Sequence, residues 1–514
     1  MTSSVDQRPW LSALPQQPST RARAPMRRWL RTRPTVAAWV VTAVFFALYA
    51  AVSVLRHRRM ATAGYDLGIF EEAVRAYAHG HAPVVELKGP GFNLLGDHFH
   101  PVLVVLAPLY RAFPSPVTLL VAQAALMAAA CLPLTRWAHR AVGPGAGLVV
   151  GCGVGASWGM VSAVSFDFHE VCFAVPLLAF AVEALGNGRW RAAACWTLPL
   201  LLVKEDLGLT VAAVGALIVW RGPRRWGWVL VAAGLAGTAL EMAVLLPAVN
   251  PHGTFDYWRQ MSDGGGGGGP AQLLRVLWPP SKWLLLLMVA APTALLGLRS
   301  SLLLLCVPTL AWRLLSDNPH HWSLHYHYSA LLMPVVLGGL VDVLGRRPRV
   351  CSPGRARVAL TACAAFTAVT AALYPLHELV TPSSWRTPAH VRSARAVLGR
   401  IPDGARVAAT NRLSAQLTGR SVVGIACGAT PPGPWSPVAL PDRRPDWVVA
   451  DRTDSDGFPL CGSPVRVLAA YRAAGYRTVV QADGVVLLNA PAVRDGFGAP
   501  RLPAGDARAA LPSG

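Results

Sequence analysis

Residues 36–55 read VAAWVVTAVFFALYAAVSVL, and after a short basic stretch residues 65–77 read YDLGIFEEAVRAY. The first run has the roughly 20 apolar residues that a helix needs to cross a bilayer. The second run places Asp66, Glu71 and Glu72 just beyond the end of that span. Three carboxylates at one membrane border have little structural use in a polytopic protein, whereas an enzyme acting on a membrane-borne substrate has a use for them.

The composition of the chain is that of an integral membrane protein. Of its 514 residues, 53% are hydrophobic and only 14% are charged, whereas soluble proteins carry about a quarter charged residues. The formal net charge is +21, and the basic residues lie mostly in the N-terminal tail, the short loops and the C-terminal region. This placement is typical of membrane topology and anionic lipid headgroups. Because no basic surface is interleaved with aromatic residues, we expect no nucleic-acid partner.

Apolar runs predict an all-α polytopic membrane domain over residues 36–380, with outer loops at 56–115 and 250–281. We expect residues 1–35 to be a disordered cytoplasmic tail, since no signal-peptide cleavage site follows them. The short, Pro-bounded run at 101–113 predicts a re-entrant or interfacial segment. About eleven spans are expected, at 36–55, 116–134, 144–164, 170–186, 190–203, 206–220, 226–249, 282–298, 301–315, 329–345 and 357–375.

The chain ceases to be membrane-like after about Pro382, and residues 385–492 predict a small α/β domain followed by a flexible tail at 493–514. Helices are expected at 394–401 and 465–474, and short strands at 405–410, 447–451, 476–480 and 485–489. We expect this domain to lie outside the cell membrane. Cys427 and Cys461 fall within it, where an oxidising compartment would let them form a disulfide.

The placement of Lys and Arg predicts the orientation of the chain. The N-terminal tail and the basic loops at 135–140, 186–191, 221–225 and 346–357 are expected to be cytoplasmic, so eleven crossings put the C-terminal domain outside. The basic run at 56–59 disagrees, which means either that the first span is inverted or that Arg58 and Arg59 have a function outside. Almost every acidic or His-rich segment then falls on the outer face, which predicts a single site.

The segment at 65–77 predicts an amphipathic helix along the outer surface, because its apolar residues recur at helical spacing. Asp66 stands at the start of this helix, where a carboxylate also caps exposed backbone amides. Capping explains Asp66 alone and does not explain Glu71 and Glu72 beside it. We therefore favour a functional role for Asp66.

Two later loops carry acidic and imidazole groups. The sequence GDHFHP supplies Asp97, His98 and His100, which would suit a divalent metal or a hydrogen-bonded loop that binds sugar hydroxyls or phosphate. The sequence FDFHE supplies Asp167 and His169, which are either solvated loop residues or part of the site.

Three consecutive charged residues, Lys204, Glu205 and Asp206, interrupt an apolar stretch. Each charge would cost roughly 2.5–3.5 kcal/mol at the centre of a membrane helix, so we expect them at a junction that faces a polar cavity. Lys204 would suit a phosphate as a point charge, and a buried structural ion pair is the alternative.

The sequence HHWSLHYHY adds His325, His327 and Tyr328 at a predicted membrane border. An aromatic belt accounts for the Trp and Tyr residues, but four histidines in eight residues exceed what a belt requires. At helical pitch His321 and His325 would share a face. Phosphate or metal contact is the functional interpretation.

The chain resembles the DUF2079 family of bacterial membrane proteins. The resemblance is carried by YDLGIFEEAVRAYAHG, GPGFNLLGDHFHPVLVVLAPLYR, LLVKEDLG and HYHYSALLMP, and more weakly by IPDGARVAATNRLSAQLTGR. That family in turn resembles the GT-C membrane glycosyltransferases, which have many helices, an acidic residue soon after the first span and often an extracytoplasmic C-terminal domain. Those enzymes transfer a sugar from a polyprenyl-phosphate carrier.

The resemblance implies an enzyme with Asp66 as general base and a polyprenyl-phosphate-linked sugar as donor. Lys204, with Arg58 or Arg59, would hold the phosphate. A glycan, lipid or protein of the cell envelope would be the acceptor, since no hallmark acceptor motif narrows the choice. The sugar or metal pocket would draw on Glu71, Asp97, His98, His100, Asp167, His169, Glu205, Asp206, His325, His327 and Tyr328.

Two other classes of protein remain open. A transporter or flippase for a lipid-linked or anionic solute would place its charges near the bilayer midplane and show internal repeats. The sequence shows no internal repeat, and its charges cluster at one membrane border. A non-catalytic envelope scaffold would act through its outer domain and would be indifferent to the loss of Asp66.

Overall fold

The computed structural model describes residues 33–254, 278–346, 352–427, 444–454 and 461–491. Nearly all of the predicted tail at 1–35, the tail at 493–514 and most of the loop at 250–281 lie outside these ranges. The chain forms two compact units. Among the described residues, the first unit comprises those up to Thr62, Phe70–Val84 and those between Phe92 and Arg386, and the second unit comprises Ala63–Ile69, Val85–Gly91 and those from Thr387 onward.

The first unit is helical, and each predicted span overlaps at least one helix. A 3-10 segment, Leu198–Leu202, follows the helix Trp190–Thr197 and precedes the helix Leu207–Arg221. The helices up to residue 250 are α1 (Pro34–Arg58), α2 (Ile69–Ala78), α3 (Ala107–Ala112), α4 (Pro116–Ala129), α5 (Cys131–Ala141), α6 (Pro144–Gly155), α7 (Trp158–Phe166), α8 (Val171–Gly186), α9 (Trp190–Thr197), α10 (Leu207–Arg221), α11 (Arg224–Leu240) and α12 (Leu246–Val249).

The remaining helices of this unit include several 3-10 segments, at Ala291–Thr293, Leu296–Arg299, Ser301–Cys306 and His327–Ser329. The regular helices are α13 (Ser281–Ala290), α14 (Val307–Leu315), α15 (Pro319–Trp322), α16 (Leu332–Gly345) and α17 (Pro353–Leu373). Because α15 ends at Trp322, His321 and His325 do not share a helix face, and that prediction was wrong. Pro319 begins this helix and Ser323 is already extended.

Six helical segments are long and apolar enough to cross a membrane: Pro34–Arg58, Pro116–Ala141, Pro144–Phe166, Arg224–Val249, His327–Gly345 and Pro353–Leu373. Shorter apolar helices are Pro101–Ala112, Val171–Gly186, Leu207–Arg221, Ser281–Thr293 and Ser301–Leu315. The segment that contains α16 is almost wholly buried, whereas α11 and α17 leave most of their surface exposed. Apolar side chains on α11, such as Trp228 and Leu235, are exposed, as expected for helices that face lipid. The chain is therefore a multi-pass membrane protein.

Glycine lets α10 and α11 pack backbone against backbone. A Cβ atom added at Gly215 of α10 would lie 2.6 Å from the Val231 nitrogen and 2.7 Å from the Gly227 oxygen of α11. Gly208 and Gly234 make a second close approach between the same helices. Small residues at such interfaces are typical of helix packing in membranes, so this pair forms a tight hairpin beside the Lys204–Asp206 segment.

The second unit contains a five-stranded sheet. Its elements are α18 (Ala389–Leu398), β1 (Arg406–Ala409), α19 (Asn411–Ser414), β2 (Val422–Ile425), β3 (Trp447–Asp451), α20 (Pro464–Ala473), β4 (Arg477–Ala482) and β5 (Val485–Asn489). The strand order is β2-β1-β3-β5-β4, with β1 parallel to β2 and β3, and β5 antiparallel to β3 and β4. Val448, Leu468, Tyr471 and Val486 lie in its core. The predicted strands and helices are present, and β2 is an additional strand.

A disulfide joins Cys427 to Cys461, the pairing that the sequence allowed. Two pieces of the first loop also belong to this unit. The Tyr65 amide donates to Asn411 Oδ1 at 2.8 Å, and the Leu87 and Thr418 side chains lie against Gly68. The sequence placed the whole of 56–115 with the membrane domain, because a contact between residues about 350 positions apart leaves no periodic pattern.

Candidate functional site

The loop that joins α7 to α8 carries Asp167 to Glu170 and is fixed by one buried glutamine. Gln123 Nε2 donates to the Asp167 carbonyl at 2.6 Å, and Gln123 Oε1 accepts from the His169 amide at 2.9 Å. Asp167 has a φ of 145°, a region that is costly for any residue with a Cβ. The loop is thus held in a strained conformation that turns the following side chains inward, and His169 and Glu170 are both buried.

Glu170 pairs with Lys204, which lies in the break between the 3-10 segment Leu198–Leu202 and α10. Lys204 Nζ is 3.0 Å from Glu170 Oε1, and the two side chains are 19% and 2% exposed. Burial alone would raise the pKa of the Glu170 carboxyl, but the Lys204 ammonium outweighs it and holds that pKa well below its usual range. Burial would likewise lower the pKa of Lys204, but the carboxylates of Glu170, Glu205 and Asp206 outweigh it and raise that pKa. Both groups are therefore charged.

Glu205 joins the first loop to the same break. His98 Nδ1 is 2.6 Å from Glu205 Oε1, and the Phe99 amide donates to Glu205 Oε2 at 3.1 Å. Thr238 of α11 donates to the Glu205 carbonyl at 2.8 Å. Burial lowers the pKa of His98, but the Glu205 carboxylate outweighs burial and raises it above its ordinary value. The pair is therefore an imidazole that a carboxylate orients and whose protonated form it favours.

Asp206, the next residue, lies at the start of α10 without capping it through its side chain. Burial raises the pKa of Asp206 to about 6, even though Lys204 favours the ionised form. Its Oδ1 atom is buried and has no hydrogen-bond partner within the described ranges. Asp206 is therefore a group that can change its protonation state near pH 6.

Stacked imidazole and phenyl rings form the apolar side of the site. The His169 and His327 rings are 3.8 Å apart, centroid to centroid, and Phe166 stacks on His169 at 5.3 Å. Phe70 makes edge contacts with His100 at 5.7 Å and with His169 at 5.7 Å. Burial lowers the pKa of His100 to about 4, so this imidazole is neutral at physiological pH. Its Nδ1 atom is buried and has no hydrogen-bond partner in the part of the chain that the structure describes.

These residues form one group, hereafter the polar cluster: His98, His100, His169, Glu170, Lys204, Glu205 and His327. The carboxylate of Glu170 interacts electrostatically with His100, His169 and His327 as well as with Lys204. Five separate chain segments supply the cluster and its aromatic border, namely the start of α2, the first loop, the α7–α8 loop, the break before α10 and the turn before α16. Tyr328 adds its ring 4.2 Å from that of His327.

The remaining predicted site residues have other surroundings. Glu71 is fully buried and accepts a hydrogen bond from the Tyr110 hydroxyl at 2.9 Å. His325 is exposed and stacks on Tyr374 at 6.2 Å. Asp97 follows a short 3-10 segment beside His98, and it contributes to the raised pKa of that imidazole.

Asp66 and the two basic candidates lie elsewhere along the first loop. Asp66 belongs to the second unit, in a π-helical turn over Gly64–Gly68. Arg58 is exposed at the end of α1, and Arg59 is half-buried. Among the described residues, no group of three or more His, Cys, Asp and Glu side chains is placed to hold a metal ion. A metal at Asp97, His98 and His100 stays a prediction.

Sequence reasoning missed two buried cations, Arg313 and Lys282. Arg313 of α14 donates through Nε to the His321 carbonyl at 2.6 Å and through Nη1 to the Tyr328 carbonyl and the Ser329 hydroxyl, at 3.3 and 3.2 Å. Lys282 donates to the Leu314 carbonyl at 2.6 Å. A lone basic residue in an apolar run signals such a site, since an unsatisfied charge would be costly there. Arg313 fixes the turn that presents His327.

Comparison with known proteins adds a family and no activity. The curated proteins contain no match to this chain. A family model described as a predicted membrane protein, DUF2079, matches residues 56–487, which is most of the sequence and includes every member of the polar cluster. The chain therefore belongs to the DUF2079 family of predicted membrane proteins.

Proposed function

We propose that the chain is a GT-C-type membrane glycosyltransferase that moves a sugar from a polyprenyl-phosphate donor to a cell-envelope acceptor. The polar cluster carries the proposal. It brings a buried ammonium, two carboxylates and four imidazoles together at breaks between helices. Buried charges are energetically costly in a membrane protein and are retained there mainly for function.

The reaction that we propose breaks the bond between C1 of the sugar and the phosphate oxygen. The acceptor hydroxyl attacks C1, its proton passes to a base, and polyprenyl phosphate leaves with the bonding electrons. Lys204 is the proposed phosphate contact, because its ammonium neutralises the charge that develops on the leaving group. Arg58 or Arg59 would be a second phosphate contact.

Two groups are proposed to accept the proton. Asp66 is the candidate that the GT-C resemblance implies. The His98–Glu205 pair is the candidate that the polar cluster supports, because a carboxylate orients the imidazole and raises its pKa, which strengthens it as a base. A divalent metal at Asp97, His98 and His100 would be an addition to this scheme and takes part in no step of it.

The proposal also includes the orientation of the chain and its eleven crossings. Three arginines pair with Glu183 near the C-terminal end of α8, namely Arg136, Arg140 and Arg189. Glu170 lies just before the start of α8, thirteen positions from Glu183, which is about 20 Å at 1.5 Å per residue. Lys and Arg favour the cytoplasmic side, which supports an outer position for the polar cluster. The Cys427–Cys461 disulfide supports an extracytoplasmic C-terminal domain.

A transporter of a lipid-linked or anionic solute is the second candidate, favoured by one observation. The 3-10 segments at Leu198–Leu202 and Ser301–Cys306 interrupt apolar stretches, and broken helices line the substrate sites of many transporters. An envelope scaffold is the third class, and it gives no reason for a buried ionised cluster.

The test compares polyprenyl-linked sugars and envelope glycans by mass spectrometry in cells with the wild-type gene, without it, and with single variants. His98→Gln and Asp66→Asn are the test variants. His81→Gln and Asp403→Asn are the matched controls, since both residues are exposed. A transferase predicts that the polyprenyl-linked sugar accumulates and one glycan disappears without the gene and with His98→Gln, while the controls behave as wild type.

Three other results would separate the candidates. Loss of turnover with Asp66→Asn alone would assign the base to Asp66 and not to His98. Accumulation of the sugar lipid on the inner leaflet, with transfer intact in a detergent extract, would favour the transporter. Unchanged sugar lipids and glycans in cells without the gene would refute the transferase proposal.

A further inference from the structure

A second charged site lies at the opposite end of α8 from the polar cluster. Three arginines converge on Glu183, whose side chain is buried. Arg136 Nη2 and Arg189 Nη2 are 2.7 and 2.9 Å from Glu183 Oε2, and Arg140 Nη2 is 2.5 Å from Oε1. With Asn187 these residues line a cavity of about 340 Å³.

The charges of this cavity do not balance. Three guanidinium groups face one carboxylate, so two positive charges are left over. Each guanidinium has five N–H donors, and a single carboxylate cannot use them all. Arg140 and Arg189 are 48% and 50% exposed, and Arg136 Nε is buried with no hydrogen-bond partner among the residues that the structure describes.

The neighbouring surface has the character of a membrane border. A second cavity of about 390 Å³ shares Arg189 and is lined by Trp190, Arg191, Arg225 and Trp226. The guanidinium groups of Arg191 and Arg225 lie 5.8 and 5.9 Å from the Trp226 ring. Tryptophan and arginine side chains of this kind are typical of the level of lipid headgroups.

We infer that the cavity around Glu183 binds a phosphate-bearing anion, held by Arg136, Arg140 and Arg189. Planar guanidinium groups match phosphate oxygens through paired hydrogen bonds. Glu183 has the role of holding the three arginines in place before the anion arrives. A lipid headgroup and a free phosphate share this chemistry, and the experiment below separates them. The inference is independent of the proposed transferase activity.

The experiment uses the full-length protein in nanodiscs of phosphatidylcholine alone or with one fifth phosphatidylglycerol. Native mass spectrometry counts the retained phosphatidylglycerol, and thermal unfolding measures the effect of added inorganic phosphate. The variants are Arg140→Gln and Arg189→Gln, at half-exposed positions that the fold should tolerate. Arg224→Gln is the control, because Arg224 is an exposed arginine at the start of α11 and lines neither cavity.

A headgroup site predicts that retention of phosphatidylglycerol falls about fivefold with either variant and is unchanged with Arg224→Gln. A site for free phosphate predicts instead that inorganic phosphate raises the melting temperature of the wild type in phosphatidylcholine and has no effect on Arg140→Gln. Either result supports the inference. If both variants match Arg224→Gln in both measurements, the inference is wrong.

Discussion

Removal of the Lys204 ammonium should destabilise the fold, because it leaves the buried Glu170 carboxylate without its cation. In Lys204→Met the apolar stem of the side chain is kept, but the Glu170 carboxylate, only 2% exposed and 3.0 Å from the lost ammonium, keeps a buried charge without its cation. Breaking a buried ion pair from one side costs about 3–5 kcal/mol. We therefore expect Lys204→Met to lower the free energy of unfolding by that amount at pH 7.5.

The reverse change should cost less. In Glu170→Gln the ammonium of Lys204 keeps the carboxylates of Glu205 and Asp206 in its surroundings, and its side chain is 19% exposed. A loss of about 1–3 kcal/mol is expected, typical of one buried hydrogen-bonding group left unsatisfied. The double variant should resemble Glu170→Gln alone, because no buried carboxylate then remains at position 170.

The measurement is reversible unfolding by sodium dodecyl sulfate in mixed micelles, followed by tryptophan fluorescence, for the two single variants and the double variant. The coupling between the two positions should exceed about 2 kcal/mol. Without Lys204, burial would raise the pKa of Glu170 above its unfolded value. The loss caused by Lys204→Met should then shrink as the pH falls from 7.5 to 5, because the carboxylate gains its proton.

The control is Glu378→Gln, which removes a carboxylate 2.5 Å from Arg56 in a partly exposed pair and should cost less than about 1 kcal/mol. Additive losses in the double variant, or a Lys204→Met loss no larger than that of Glu378→Gln, would refute this account of the pair.

Three further results are expected. The pKa of His98 is raised in the folded protein, so its stabilising contribution is complete below the unfolded pKa of about 6.5 and disappears as the pH rises through the folded pKa. The stability lost in His98→Gln should therefore be larger at pH 6 than at pH 9, and a loss independent of pH would contradict the pairing with Glu205. Gly215→Leu should separate α10 from α11 and lower stability by more than about 1–3 kcal/mol, measured against Gly145→Leu, whose added Cβ meets nothing within 4 Å. Gln123→Leu should cost about 2–4 kcal/mol, because two buried backbone groups of the α7–α8 loop lose their partner, whereas equal melting temperatures would show that Gln123 does not fix the loop.

Much of the helical architecture could be predicted from apolar runs alone. Each predicted span overlaps at least one helix, and six helical segments are long and apolar enough to cross a membrane, because the bilayer requires long apolar stretches whatever their tertiary partners. Strand β2 was missed, since Val422–Ile425 is only four residues long and contains a glycine. The two histidines at 321 and 325 were wrongly placed on one helix, because the helix that begins at Pro319 ends after a single turn.

The sequence predicts which residues belong to the candidate site better than it predicts which of them pair with one another. Lys204 and Glu205 stand out because charges in an apolar stretch are costly. Their partners, Glu170 and His98, lie in loops that no periodicity connects to them. The role of Gln123 could not be predicted, because a single amide side chain in an apolar span gives no sign of the backbone groups that it binds.

The make-up of the second unit has a consequence for biosynthesis. Tyr65 and Asn411 are 346 positions apart, yet they are hydrogen-bonded within one compact unit. At about 5–20 residues per second, the ribosome needs roughly 20–70 s to deliver Asn411 after Tyr65 has been made. During that interval residues 63–69 lack their partners from the C-terminal part of the unit, Asn411 and Thr418. An expression fragment that starts at Thr387 would lack residues 63–69 and 85–91 and should be less stable than the same fragment supplied with those peptides.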